Sequence, residues 1–219
     1  MKLRRNLLKT SQLYLILDKP SLSSFSLEKI SNLVSDSGIG LIQLRDKSSS
    51  KAGILKYALR LTRHLSLTKK LFIINDYADV ALACGADGVH LGQDDLSVKR
   101  ARKILGESKI IGLSCHSLSQ ALQAQQEGAD YIGIGPIYTT ATKPGCRSIG
   151  LEVLQELKNR IKIPYFAIGN IHRDNLKEVV AAGARRVAVC RAIFKASDAK
   201  QETKHIYKIL KKYDTVGVR

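Results

Sequence analysis

Residues 85–91 read Gly85-Ala86-Asp87-Gly88-Val89-His90-Leu91. A glycine and two small or acidic residues lead into a short apolar run. The same joint returns at Gly128-Ala129-Asp130, ahead of Tyr131-Ile132-Gly133-Ile134-Gly135, and at Gly183-Ala184-Arg185, ahead of Arg186-Val187-Ala188-Val189-Cys190. Each copy follows a segment with helical spacing. Glycine there can take the left-handed backbone that ends a helix. The repeat therefore predicts a helix handing over to a strand, three times in one chain.

Working outward, eight short runs read as strands: 13–17, 41–45, 71–75, 88–91, 110–114, 131–135, 165–168 and 186–190. They are continuously apolar rather than alternating, as in parallel strands buried on both faces. The segments between them are amphipathic. Ile54, Ala58, Leu61 and Leu65 share one helical face, with Lys56, Arg60 and Arg63 elsewhere. Ser117 is read as an N-cap of the helix ending at Gly128, and Asp174 as the cap of the one ending at Gly183. Eight units in 219 residues give about 27 residues each, enough for right-handed crossovers. The expected fold is α/β, a single (β/α)8 TIM barrel spanning 1–219, with residues 1–11 as a basic N-terminal arm. A doubly wound open sheet is the rival, but its glycine fingerprint does not follow the first strand, which leads into Leu17-Asp18-Lys19-Pro20.

Composition narrows the function. With 44% hydrophobic and 25% charged residues the chain is ordinary for a folded domain, which excludes disorder. No apolar run approaches a membrane span, and the basic start Met1-Lys2-Leu3-Arg4-Arg5 lacks the apolar core of a signal peptide. Lysine and arginine number 36 against 19 acidic residues, a formal net charge of +17. That excess suits anionic partners, or simply a solvated basic surface. Cys84, Cys115, Cys146 and Cys190 are scattered, with no zinc spacing, so a reducing cytoplasm is the expected location.

In such a barrel the chemistry sits at the C-terminal ends of the strands. The second strand ends Gln43-Leu44-Arg45-Asp46-Lys47, and alternation sends Gln43, Arg45 and Lys47 to one side. An amide, a guanidinium and an ammonium together suit phosphate. The third ends Asn75-Asp76 and the fourth runs into Gln93-Asp94-Asp95. Carboxylates at adjacent mouths beside cations suggest a Mg2+ site, although Asp94 or Asp95 could instead cap the next helix. His90, inside a strand, reads as a satisfied core histidine. Ser114-Cys115-His116 resembles a nucleophile cluster, but neighbours in a strand point to opposite faces. Ser114 is therefore read as a ligand donor. The sixth strand leads into Gly135-Pro136-Ile137-Tyr138-Thr139-Thr140-Ala141-Thr142-Lys143-Pro144-Gly145, which has the composition of an oxyanion-binding loop or lid. Gly169-Asn170 and Cys190-Arg191 close the last two strands, where barrels often hold a phosphate.

These motifs, QLRDK, GVHLGQDD, GLSCHS and GPIYTTATKPG above all, closely resemble the thiamine-phosphate synthase family, in order from about Leu13 to Ile193. The resemblance implies condensation of hydroxymethylpyrimidine diphosphate with a thiazole phosphate, giving thiamine phosphate and pyrophosphate through a dissociative, carbocation-like path. By similarity Gln43, Arg45, Lys47 and Asn75 hold the pyrimidine diphosphate, and Asp76 and Asp95 bind Mg2+ as cofactor. Ser114 and Lys143 contact the diphosphate. Thr140 and Thr142, with the backbone at Asn170, Cys190 and Arg191, hold the thiazole phosphate. The chain departs from the usual pattern at Thr139, Asn170 and Cys190-Arg191. Two alternatives stand beside this reading. A related thiazole tautomerase would share the barrel but lack the QLRDK set and the aspartate pair. A basic nucleic-acid-binding protein would account for the charge, but aromatic residues are only 5% and no RNA-binding motif is present. Expected partners are therefore phosphorylated small molecules, with no membrane and no specific nucleic acid; a homo-oligomer is left open.

Overall fold

Short runs rich in leucine, isoleucine and valine form the strands, and the amphipathic segments between them form helices that cover the outside. The computed structural model describes residues 2–35, 37–140, 145 and 147–214. A first helix, α1 (Lys2–Thr10), precedes β1 (Leu13–Asp18). Then come α2 (Leu27–Ser35), β2 (Ile39–Arg45), α3 (Lys51–Leu65), β3 (Leu71–Asn75), α4 (Ala78–Ala83) and β4 (Gly88–Leu91). The second half runs α5 (Val98–Leu105), β5 (Ile110–Cys115), α6 (Leu118–Gln126), β6 (Tyr131–Ile134), α7 (Glu152–Leu157) and β7 (Tyr165–Ile168). It ends with α8 (Leu176–Ala181), β8 (Val187–Val189), the short α9 (Arg191–Phe194) and α10 (Ala199–Asp214). The strands pair in sequence order, all parallel, and β8 returns to β1 through Leu13↔Val187, Tyr14↔Ala188 and Leu15↔Val189. This is the expected (β/α)8 barrel.

Alternation divides the core in two. Leu13, Leu15 and Leu17 of β1 face outward into the layer beneath the helices. Tyr14 and Ile16 face inward, meeting Leu41, Ile73, Ile110, Tyr131 and Phe166 in a second cluster that fills the barrel. Tyr14, Tyr131 and Phe166 pack edge to face there, with centroids 5.2 to 5.8 Å apart. The interior holds Tyr131 because β5 carries Gly112 beside it. A Cβ on Gly112 would lie 2.1 Å from Tyr131 Cζ.

The three repeated joints have one geometry. Gly85, Gly128 and Gly183 take φ of +73°, +87° and +117°. The following alanine amide reaches back to close the helix: Ala86 to Ala81 O, Ala129 to Ala124 O and Ala184 to Val179 O, at 3.0, 3.0 and 3.2 Å. Asp87 and Asp130 then tie the next strand to its neighbour, accepting from the amides of Phe72 and Ile111 at 3.0 and 2.9 Å.

The basic N-terminal segment is α1, docked on the barrel's lower end. Leu8 is buried in the interior cluster. Arg4 pairs with Asp87 at 2.5 Å and Arg5 with Asp130 at 3.5 Å, so these charges are engaged with the repeated joints.

Two capping expectations need correction and one holds. Ser117 accepts from the Gln120 amide at 3.2 Å, as expected. Asp174 does not cap α8. The residue before that helix is Asn175, whose side chain turns back to accept from the His172 amide at 2.9 Å. Asp94 and Asp95 do not cap α5, because Ser97, two residues later, accepts from Arg100 N at 3.3 Å.

Candidate active site at the strand C-termini

A cavity of about 460 Å³ opens at the C-terminal ends of the strands. Of the residues singled out above, Gln43, Arg45, Asn75, Ser114, Thr140, Asn170, Cys190 and Arg191 line it. Lys47, Asp76 and Asp95 form a second group around the mouths of β3 and β4 rather than lining the cavity. Thr142 and Lys143 lie outside the described residues.

The β2 mouth shows why alternation matters. Gln43 is buried and donates to the Tyr14 hydroxyl at 2.5 Å. Arg45, two residues on, pairs with Asp18 at the end of β1, both side chains being largely enclosed. Asp46 points the other way. Its carboxylate accepts from the Ser48 and Ser49 amides at 3.0 and 2.9 Å and pairs with Lys19 at 3.0 Å, which holds the turn between the two cations. Burial raises the Asp46 pKa, but those hydrogen bonds outweigh it and hold the carboxyl well below the usual range. A depressed folded pKa contributes stability above the unfolded carboxylate value, and that contribution is lost as pH falls through the folded one. Asp46→Asn is therefore expected to unfold more easily than wild type at pH 7, with the gap narrowing towards pH 3. Urea titrations across that range measure it.

At the β3 mouth Asp76 takes φ +67°, with its amide bonded to His90 O at 2.8 Å. This turn carries its carboxylate to Lys47 and to Asp95. Asp95 itself accepts from the Gly92 amide at 2.6 Å, closing the β4 turn. Burial and the adjacent Asp95 carboxylate push the Asp76 pKa up, while Lys47 acts in the opposite sense. Two neighbouring carboxylates, Asp76 half-buried and Asp95 exposed at the β4 turn, are donors of the kind a divalent cation takes. Among the described residues no cluster of three or more His, Cys, Asp and Glu is present.

The β5 mouth separates Ser114 from Cys115. Ser114 lines the cavity, and its hydroxyl meets His90 Nε2 at 3.0 Å. Cys115 is fully buried, and that burial pushes its thiol up to about 12, so no thiolate is at hand. His116 engages the Gly135 carbonyl. Cys115 and His116 bond to different backbone carbonyls, Leu113 and Gly135, and not to one another.

Across the cavity, Asn170 takes φ +49°, a left-handed backbone that asparagine tolerates. It follows Gly169, where a Cβ would stand 2.5 Å from Pro136 Cα. Cys190 turns sharply into α9, which brings Arg191 and Lys195 to the cavity along with His172. Sequence reasoning missed Lys195 and His172, which lie beyond the strand ends, and Asp18, Tyr14 and Tyr131. The first-strand ending Leu17-Asp18-Lys19 was the one available signal for Asp18.

Among the described residues no helix is long and apolar enough to cross a membrane. A family model described as thiamine monophosphate synthase matches residues 13–193. A thiamine-phosphate synthase of Clostridium acetobutylicum is 39% identical over 204 residues, covering 93% of this chain and 97% of that protein. One from Gloeobacter violaceus is 49% identical over 166 residues; the match covers 76% of this chain but only 49% of that longer relative. Thiamine phosphate pyrophosphorylase from Pyrococcus furiosus superimposes with a TM-score of 0.83 at 35% identity, covering 95% of this chain and 98% of that one.

Proposed function

The chain belongs to the thiamine monophosphate synthase family, and on that premise we propose that it joins hydroxymethylpyrimidine diphosphate to hydroxyethylthiazole phosphate, releasing pyrophosphate and thiamine phosphate. The observation that carries this reading is the gathering of eight motif residues around one cavity, with the Lys47–Asp76–Asp95 group at one edge and Arg191, Lys195 and His172 opposite. Two anion-binding sides facing one space suit two phosphorylated substrates.

Gln43, Arg45 and Asn75 hold the pyrimidine diphosphate, with Lys47 at its phosphate end. Asp76 and Asp95 are the residues that would hold Mg2+. When bound, the ion supplies positive charge to the diphosphate oxygens. Arg45, Lys47 and Ser114, joined through the resemblance by Lys143, stabilise the charge that develops on the departing pyrophosphate. The carbon–oxygen bond breaks first, leaving a carbocation on the pyrimidine methylene, and the thiazole nitrogen attacks it. Thr140, Thr142, and the backbone at Asn170, Cys190 and Arg191 hold the thiazole phosphate. No protein nucleophile is required, which agrees with the enclosed thiol of Cys115.

Purified protein is mixed with both substrates and Mg2+, and thiamine phosphate is read as thiochrome fluorescence. Product is expected only when both substrates are present, and excess chelator is expected to abolish it. Folded protein that forms none would overturn the assignment.

A further inference from the structure

Five side chains form one hydrogen-bonded line beneath the cavity, from β2 to β5. Gln43 Nε2 donates to Tyr14 Oη at 2.5 Å, and Tyr14 Oη meets Tyr131 Oη at 2.8 Å. Tyr131 Oη meets His90 Nδ1 at 3.0 Å, and His90 Nε2 meets Ser114 Oγ at 3.0 Å. Tyr14 and Tyr131 are 1% and 0% exposed, so water does not compete for their hydroxyls. Burial drives both phenols upward, so each keeps its proton.

Counting protons gives the line a direction. The amide nitrogen of Gln43 only donates, so the Tyr14 oxygen accepts from it. Tyr14 then has one proton to give, and gives it to Tyr131. Tyr131 in turn gives its proton to His90 Nδ1. A ring nitrogen that accepts carries no hydrogen, so this direction requires the imidazole proton on Nε2, facing Ser114. Ser114 Oγ accepts that bond and keeps its own proton for the cavity it lines. The opposite direction would set the Tyr14 proton against the Gln43 N–H with no acceptor between them.

We propose that this relay holds His90 as its Nε2–H tautomer and thereby makes the Ser114 hydroxyl a donor to an oxygen of the substrate diphosphate. Tyr14, Tyr131 and His90 are positioning residues; Ser114 is the group that touches substrate. The inference takes its substrate from the proposed function. Two glycines make room for the line: besides Gly112, Gly133 leaves 3.3 Å between its own would-be Cβ and His90 Cε1.

The test begins with ligand-free wild-type protein. Nitrogen-15 NMR of the His90 ring is expected to show a protonated Nε2 and a bare Nδ1. Tyr131→Phe removes the donor to Nδ1. Its His90 is expected to populate both tautomers. Its kcat is expected to fall about fivefold while KM for the pyrimidine diphosphate moves less than twofold. Combined with Ser114→Ala it is expected to cost little more than Ser114→Ala alone, because both act through one hydroxyl. A proton on Nδ1 in the wild type, or an unchanged kcat in folded Tyr131→Phe, overturns the relay. The tautomer is read without turnover, so an inactive wild-type protein overturns the proposed function, and with it the diphosphate as the partner of Ser114, while the relay to His90 stands or falls on the ring nitrogens alone.

Discussion

Replacing Arg45 with alanine is expected to lower turnover at least about hundredfold and to cost about 3 kcal/mol of stability. The two losses have different origins. Arg45 lines the cavity at the mouth of β2, where its guanidinium can meet a diphosphate oxygen in two places at once. Removing one preorganised charge of this kind typically costs a factor of 10² or more in rate. The stability loss comes from Asp18, whose side chain is only 9% exposed and would be left without its ion-pair partner. An enclosed charge that loses its counter-ion costs more than the pair contributed. Arg45→Lys keeps the charge but not the planar fork, so it should recover stability more fully than rate. Product formation and chemical denaturation separate the two effects. A near-wild-type rate in Arg45→Ala would remove this residue from the diphosphate site.

Asp76→Asn is expected to lower turnover at least about tenfold, a loss of ~1.4 kcal/mol in barrier terms, without destabilising the fold. The combination follows from its surroundings. Burial and Asp95 raise the Asp76 pKa, so at neutral pH its ionised form strains the native state relative to the unfolded chain. Neutralising it relieves that strain, and the lost ion pair with half-exposed Lys47 offsets part of the gain. A carboxyl whose ionised form burdens the fold suits a functional role better than a structural one. Lys47→Ala should also cost at least about tenfold in turnover. Thermal melts beside initial rates, with and without Mg2+, check both variants. Full activity in Asp76→Asn would show that the cation site lies elsewhere.

The barrel was legible because its signals are local. Apolar runs of four or five residues and the glycine that ends a helix are each visible within a short window, and their alternation leaves one closed solution. The ends of strands were legible for the same reason, since alternation alone aligned Gln43 with Arg45. What escaped depends on closure. Tyr14 looks like one more apolar strand residue until β1 faces β6 across the barrel and its hydroxyl meets Tyr131. Asp18 has no visible purpose until Arg45 of the next strand arrives beside it. The basic start of the chain reads as an arm because its counter-charges, Asp87 and Asp130, lie far along the sequence. The Asp174 expectation missed by one position, because Asn175 bonds back to His172 instead of capping forward.

The ring of strands also dictates when the molecule can be finished. β1 is the first strand to be synthesised and β8 the last, and each is the other's neighbour. A chain growing on the ribosome therefore exposes one unpaired edge of β1 until residue 189 has emerged. The arginines of α1 wait in the same way for aspartates made 83 residues and more later. Non-local closure of this kind slows folding and lengthens the life of sticky intermediates. A nascent chain stalled before β8 has a hydrogen-bonding edge but no strand to seal it, so products that lack β8 should be far more prone to aggregate than a chain that carries it.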